Sequence, residues 1–518
     1  MRQPNIMVIL ADDLGFSDIG CFGSEISTSN LDRLARDGVS FTQMYNCARC
    51  CPSRASLLTG LYPHQAGVGH MVDDEGVPAY QGYLNRNCVT IAEALKTGGY
   101  AAGMSGKWHV GGSYGTAPDT RLKAGDERHP LPRQRGFDRF YGTLAGAGSY
   151  YRPHTLMLDD EFVDTAGDDS YYYTDAISRH AAGMVEQFHA EDRPFFMYVA
   201  YTAPHWPLHA LEEDVVKYRR VYRAGWDEIR RERYERLVRT GIIGENWRLS
   251  GRHEGCVAWE AAGNREWEIE RMAVYATQIE RMDRGIGLIL DKLRELGIED
   301  DTMTVFLSDN GGCHEELDGS EWLGRMVGPT RAGMAVAYGN DPSRMPGGED
   351  TYMSYGVAWA NVSNTPFRMF KHWVHEGGIA TPMIVHWPAG PAATGRIVRE
   401  PCHAVDLMAT CLDAAGIAYP REYGGRPLIP PEGRSLLPAI AGEALPEKPI
   451  FWEHEGNRAV RLGRWKLVCK QSEGWELYDM ERDRTELSDI ATEYPEQVSL
   501  LRHLYEQWAV RCGVDSRR

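Results

Sequence analysis

The run Ile6-Met7-Val8-Ile9-Leu10 constrains this chain more than any other segment. It has no polar face, so a strand built from it needs cover on both sides. Asp12-Asp13 and Gly15 end it abruptly. This is the pattern of a central parallel strand sandwiched between helices. The rest of the chain supplies matching pieces. Tyr100 to Ser105, Phe195 to Tyr201, Thr302 to Leu307 and Met383 to His386 read as strands. Asn30 to Asp37, Ala92 to Thr97, Thr174 to His189, Arg271 to Leu296 and Ala404 to Ala415 read as helices. Their alternation predicts an α/β fold with a large mixed, mostly parallel sheet flanked by helices.

The texture changes near Ala441. Ile450 to Glu453, Ala459 to Leu462, Trp465 to Cys469 and Trp475 to Tyr478 are short strand candidates joined by tight turns, and Pro495 to Val510 is helical. The expected division is a catalytic domain over 1–440 and a small C-terminal antiparallel sheet plus helix over 441–518. Glu212 to Glu266, rich in charge and aromatics, is expected to be a helical insertion near the sheet edge.

Composition narrows the function. With 73 Asp plus Glu against 56 Lys plus Arg, the net charge is −17, a poor match to nucleic acid. A small basic pocket remains compatible with it. No apolar run approaches the roughly 20 residues that span a bilayer, so no membrane partner is expected. Met1-Arg2-Gln3-Pro4 precedes the first strand without a signal-like apolar core. The 11 cysteines, an odd number, read as reduced thiols. Together these point to a cytoplasmic protein.

Cys47, Cys50 and Cys51 crowd together. Cys47-Ala48-Arg49-Cys50 has the spacing of a redox pair, and buried small residues are the bland alternative. Zinc would need a second pair at ligand spacing. Pro52 suits the first turn of a helix and Gly60 its end, which puts Cys50 just before a helix N-terminus. Free N–H groups and the helix dipole favour an anion there.

Two acidic segments follow strands directly. Asp12-Asp13 closes the first, and Ser308-Asp309-Asn310-Gly311-Gly312 follows Thr304-Val305-Phe306-Leu307. In open α/β sheets, ligands bind beyond the carboxyl ends of strands. Three carboxylates and an amide with no thiolate or imidazole favour a hard cation, Ca²⁺ or Mg²⁺. A simple turn at Asp309 to Gly312 is the alternative.

Cys50-x-Pro52-Ser53-Arg54 followed by Leu58-Thr59-Gly60 resembles the signature of the type I sulfatases. The resemblance extends from Asn5 to about Tyr478 and is strongest to the soluble bacterial arylsulfatases. It implies an alkaline-phosphatase-like fold and hydrolysis of sulfate monoesters. In that family the first motif cysteine is oxidised to formylglycine, here Cys50, which implies a maturation enzyme as partner. The resemblance further implies Ca²⁺, with Mg²⁺ as second choice, bound by Asp12, Asp13, Asp309, Asn310 and the converted Cys50.

Three further segments match sulfatase motifs: Gly106-Lys107-Trp108-His109, Ala203-Pro204-His205-Trp206-Pro207 and Pro366 to Lys371. The implied roles follow. Arg54 orients the nucleophile, Lys107 clamps the sulfate oxygens, and His109 is the base for the second half-reaction. Asp309 accepts the first hydroxyl proton. His205 and Lys371 serve the leaving-group oxygen as acid and charge stabiliser. Arg368 is expected in a structural ion pair, and Trp108 and Trp206 in packing. Tyr150, Tyr151 and His154 line the pocket or belong to the core. A phosphate or phosphonate monoester hydrolase of the same superfamily, a carbohydrate-specific sulfatase and a non-catalytic binding protein are the competing readings.

Overall fold

The computed structural model describes residues 3–391 and 394–515. Its principal sheet contains β1 (Asn5–Ala11), β2 (Val39–Tyr45), β3 (Ala101–Gly106), β4 (Arg139–Thr143), β5 (Leu156–Leu158), β6 (Glu161–Phe162), β7 (Phe195–Ala200), β8 (Thr302–Ser308), β9 (Ala380–His386) and β10 (Arg396–Val398). The order is β10-β2-β9-β8-β1-β7-β3-β4-β5-β6, with β11 (Cys402–His403) pairing beside β2. β8, β1, β7, β3 and β4 run parallel. β9 runs antiparallel to both its neighbours, so the sheet is mixed.

The apolar run of β1 divides between two cores. Met7 and Ile9 join one with Ile177, Ile279 and Met282. These belong to α4 (Tyr173–Ala190) and α7 (Arg265–Glu295), which lie with α1 (Ser29–Asp37) on one face of the sheet. Ile6, Val8 and Leu10 join the other with Leu57, Ile91 and Met408. These come from α2 (Cys50–Thr59), α3 (Ile91–Lys96) and α8 (Asp406–Ala415). Successive side chains of a strand alternate faces, so a strand covered on both sides has nowhere to put a polar residue until it ends.

The Glu212 to Glu266 segment forms α5 (Glu212–Tyr222) and α6 (Gly225–Arg239). α5 packs along α7, and α6 packs on the helix Gly356–Ser363, so the segment is layered on helices. Val215, Tyr218, Trp226 and Ile229 enter the core shared with α7. Arg233 anchors α6 through Asp18 at 2.6 Å and Glu25 at 2.7 Å, all largely buried. The segment is helical, as expected, and several of its charges form this internal network.

The C-terminal sheet is antiparallel in the order β12 (Ile450–His454), β13 (Asn457–Leu462), β14 (Trp465–Cys469) and β15 (Glu476–Asp479). Phe451, Val460, Leu467 and Leu477 pack against Leu501, Tyr505 and Trp508 of α9 (Pro495–Cys512). The opposite face, with Trp452, Ala459 and Val468, continues the main core. A buried ion network fastens this sheet to the segment after Lys371. Glu376 accepts from Lys466 and Arg484, each at 2.8 Å, and Lys466 also reaches Glu486 at 2.8 Å.

Candidate active site

Cys50 is the first residue of α2, one position further into the helix than the sequence implied. Arg49 is the N-cap, and Gly60 ends the helix with φ of 69°. The carboxyl ends of β1 and β8 are neighbours in the sheet, since Ala11 pairs with Ser308. That register brings Asp12 and Asp13 beside Asp309 and Asn310. β3 and β7 are the next strands, so their ends deliver Lys107, His109 and His205. Every residue of the set is buried.

Oppositely charged partners interlock there. Lys107 Nζ is 2.5 Å from Asp12 Oδ2, and Lys371 Nζ is 2.8 Å from Asp13 Oδ2. Arg54 donates from Nε and Nη2 to Asp309 Oδ2 at 3.1 and 2.9 Å, and from Nη1 to the Lys107 carbonyl at 2.9 Å. Its Nη2 also lies 3.3 Å from Asp12 Oδ2. Asn310 Nδ2 donates to Asp13 Oδ1 at 2.7 Å.

Two oxygens are left over. Asp12 Oδ1 and Asn310 Oδ1 are buried and have no hydrogen-bond partner among the described residues. An orphaned buried acceptor is costly unless something not made of protein satisfies it. Burial and the neighbouring Asp12 charge push the Asp309 carboxyl well above its usual range. Burial also opposes the charge on Asp12, yet Lys107 and Arg54 hold its carboxyl below the ordinary value. Orphaned oxygens beside crowded carboxylates fit a hard divalent cation, which would also relieve the repulsion.

The Cys50 thiol is lowered well below its ordinary value by a hydrogen bond from Cys51 and, against burial, by the charges of Lys107 and Lys371. Burial pushes Cys51 the other way. The two adjacent thiols are therefore inequivalent, although Cys51 Sγ sits only 3.3 Å from His109 Nε2. Burial lowers His109 to about 4, so its ring is neutral near neutral pH. The ring occupies space left by a glycine: a Cβ on Gly146 would fall 2.2 Å from His109 Cε1. Asp13 and His109 both take positive φ, 63° and 55°, a conformation side chains other than glycine rarely adopt outside constrained sites.

His205 Nδ1 lies 2.7 Å from the Trp206 carbonyl, so Nδ1 carries the proton. The neutral ring then presents a lone pair at Nε2, 3.3 Å from Lys371 Nζ. Burial lowers the His205 pKa, whereas Asp13 lifts that of Lys371 well above its ordinary value against the effect of burial. The proton at this corner therefore resides on Lys371. Tyr150 is a core residue that braces the loop, its hydroxyl donating to the carbonyls of Thr202 at 2.9 Å and His205 at 2.8 Å. Tyr151 is likewise core, donating to the Ala210 carbonyl at 2.8 Å. Trp108 is fully buried, and Arg368 pairs with Glu476 at 2.7 Å, away from the central cluster.

Glu315 is a site residue that the motifs do not reveal. It meets Arg49 at 2.7 Å and accepts from Trp206 Nε1 at 2.9 Å, bridging the residues next to Cys50 and His205. Burial opposes its charge, but Arg49 and Lys371 hold its carboxyl well below the usual range. Its one sequence signal is its place five residues after Asn310, in the loop that leaves the end of β8.

A model of the sulfatase family matches residues 4–417. The chain belongs to the sulfatase family. A second model, described as N-sulphoglucosamine sulphohydrolase, C-terminal, matches residues 367–510 of this sulfatase. An uncharacterized sulfatase of Schizosaccharomyces pombe is 32% identical, covering 98% of this chain and 93% of its own. An arylsulfatase of Klebsiella aerogenes is 31% identical over 84% of this chain and 91% of its own. The solved structure of Ps i-CgsB in complex with k-i-k-neocarrahexaose superposes with a TM-score of 0.68 at 25% identity, covering 98% of this chain and 93% of that one. The sulfatase is thus a sulfuric ester hydrolase with an alkaline-phosphatase-like fold.

Proposed function

We propose that this sulfatase is arylsulfatase-like, using formylglycine derived from Cys50 and a Ca²⁺ ion. The convergence of Cys50, at a helix N-terminus, with the orphaned oxygens of Asp12 and Asn310 carries the reading. Asp12, Asp13, Asp309 and Asn310, with the converted Cys50, would hold the ion. When bound, the ion supplies fixed positive charge for the sulfate oxygens. The hydrated aldehyde supplies a hydroxyl nucleophile whose carbon can expel sulfate, which a thiol cannot readily do.

The protein side chains divide the remaining work. The first turn of α2 offers N–H groups to the sulfate anion. Lys107 adds a cation and holds Asp12 in place. Arg54 fixes Asp309, the carboxylate that would accept the proton of the nucleophile hydroxyl. His109, neutral and wedged against Gly146, is the base beside position 50. Lys371 donates toward the leaving-group oxygen, and His205 Nε2 accepts from the Lys371 ammonium and aims it. This refines the division implied by the sequence, with Lys371 rather than His205 as the resident proton donor.

Intact-mass analysis of the peptide containing Cys50 tests the nucleophile. Active preparations should show a loss of about 18 Da, the exchange of a thiol side chain for an aldehyde. Full activity in uniformly unmodified protein would refute it. A panel of aryl sulfates, sulfated sugars and phosphate esters tests the substrate class. A preference for sulfated sugars would favour the carbohydrate reading, to which the oligosaccharide-bound structural neighbour lends weight.

A further inference from the structure

A second cluster of ligating side chains lies outside the catalytic set. His454 ends β12, and Glu455 opens the turn to β13. His372 follows Lys371 and ties its backbone N–H to the Ala48 carbonyl at 2.8 Å. His70 comes from the loop beyond α2. The Glu455 carboxylate joins them: Oε2 is 2.7 Å from His372 Nδ1, and Oε1 is 2.7 Å from His70 Nε2. One ligating atom from each of His372, His454 and Glu455 falls within 4.8 Å of the others.

His454 is the member that protein contacts leave unexplained. Its side chain is 0% exposed, and neither ring nitrogen has a hydrogen-bond partner among the described residues. Its Nε2 lies 3.7 Å from Glu455 Oε1, too far for a hydrogen bond. Burial keeps the ring neutral, holding its pKa well below the ordinary value, so a lone pair is available. Burying an imidazole with both nitrogens unsatisfied is unfavourable unless a ligand takes one of them. The other ligand groups are partly open, with 29% exposure at His372 and 33% at Glu455, which leaves an entry path and room for water. His372 and Glu455 take φ of 94° and 50°, the strained backbone that accumulates at functional positions.

We propose that His372, His454 and Glu455 form a binding site for a borderline divalent metal ion such as Zn²⁺, distinct from the all-oxygen site. Two imidazoles and a carboxylate suit Zn²⁺, with a fourth position for water. Ligation uses the neutral imidazole: the His372 nitrogen that meets the ion presents its lone pair, and the ring proton sits on the other nitrogen. His70 stays on the second carboxylate oxygen as an outer partner that orients Glu455. The ion would clip the C-terminal sheet to the segment carrying Lys371 and, through the Ala48 contact, to the approach to Cys50.

Co²⁺ is the probe, added to full-length protein already saturated with Ca²⁺. A four-coordinate site with nitrogen ligands gives Co²⁺ intense visible bands, whereas an octahedral oxygen site gives only weak ones. One equivalent should produce the intense bands, and excess Zn²⁺ should abolish them. His372→Ala and His454→Ala should lose the bands while retaining native circular dichroism. His70→Gln should keep them with about 10–100-fold weaker affinity, as expected for an outer partner. If His454→Ala does not fold, His372→Ala, with its partly exposed ring, decides alone. Absence of intense bands in the wild type, their survival in His372→Ala, or their loss in Asp13→Asn alone would overturn the proposal.

Discussion

Arg54 and Asp309 meet in a two-point contact, Nε and Nη2 of the guanidinium both on Oδ2, with neither side chain exposed to solvent. The pair joins α2, which begins with Cys50, to the end of β8. Its charge is held between Asp12 and Asp309, two acids that would otherwise repel in a dry site. Removing Arg54 therefore leaves an uncompensated buried carboxylate. Arg54→Ala should cost about 3–5 kcal/mol. Arg54→Lys should recover only part, because an ammonium cannot make the same fork. Urea unfolding at matched Ca²⁺ measures this, and an Arg54→Ala midpoint equal to wild type would contradict the clamp.

Gly146 should matter to catalysis although it carries no functional group. A Cβ there would overlap the His109 ring at 2.2–2.3 Å from two of its atoms. Gly146→Ala should lower kcat toward the His109→Ala level, about 10²–10⁴-fold, if the ring acts as a base. Unfolding should change much less than turnover. An alanine variant with wild-type kcat would show that the wedge has no catalytic role.

The Lys371–His205 arrangement makes a graded prediction. Good leaving groups depart as anions, whereas poor ones need a proton in the transition state. Lys371→Ala should therefore steepen the dependence of rate on leaving-group pKa more than His205→Ala does. His205→Ala should retain a shallower dependence because Lys371 still bears the proton. The reverse order would return the acid role to His205.

Chelation should destabilise the folded protein as well as inactivate it. The carboxylates around Asp12 and Asp309 would lose a compensating cation on removal of the proposed ion. At Ca²⁺ about 100-fold above its dissociation constant, the linked stabilisation is about 2.7 kcal/mol. Melting temperature should rise with Ca²⁺ in the wild type and stay flat in Asp12→Asn. A Ca²⁺-independent melting temperature in wild type would speak against the metal site.

Acid should weaken the joint between the C-terminal sheet and the catalytic core. Burial opposes the Glu376 charge, but Lys466, Arg484 and Arg461 lower its pKa from 4.5 to about 2. A depressed carboxyl contributes stability that is whole above its unfolded value and is lost as pH falls through the folded one. The contribution should therefore decline between about pH 4.5 and about pH 2. Glu376→Gln should be less stable than wild type near pH 7, with the difference closing across that window. A difference independent of pH would show that the charge of Glu376 is not what binds the joint.

The sequence by itself determined what is local. β1 is legible because five apolar residues in succession, stopped by Asp12-Asp13 and Gly15, suit a short strand buried on both faces. The start of α2 is legible because proline and glycine punctuate a helix through their own backbone limits. Asp12, Asp13, Asp309 and Asn310 are legible because acids directly after buried strands have one exit from the sheet. Cys50, Lys107, His109, His205 and Lys371 are recognisable through family motifs, yet nothing in those motifs states which nitrogen of His205 bears a proton. The tertiary structure decided that through the Trp206 carbonyl and the Lys371 ammonium. It also decided the reach of Glu315, the wedge between Gly146 and His109, the packing of α5 along α7, and the meeting of His372, His454 and Glu455. Each of these joins residues far apart in sequence, and long-range contacts are set by how whole elements pack, leaving no period or spacing in the chain to read.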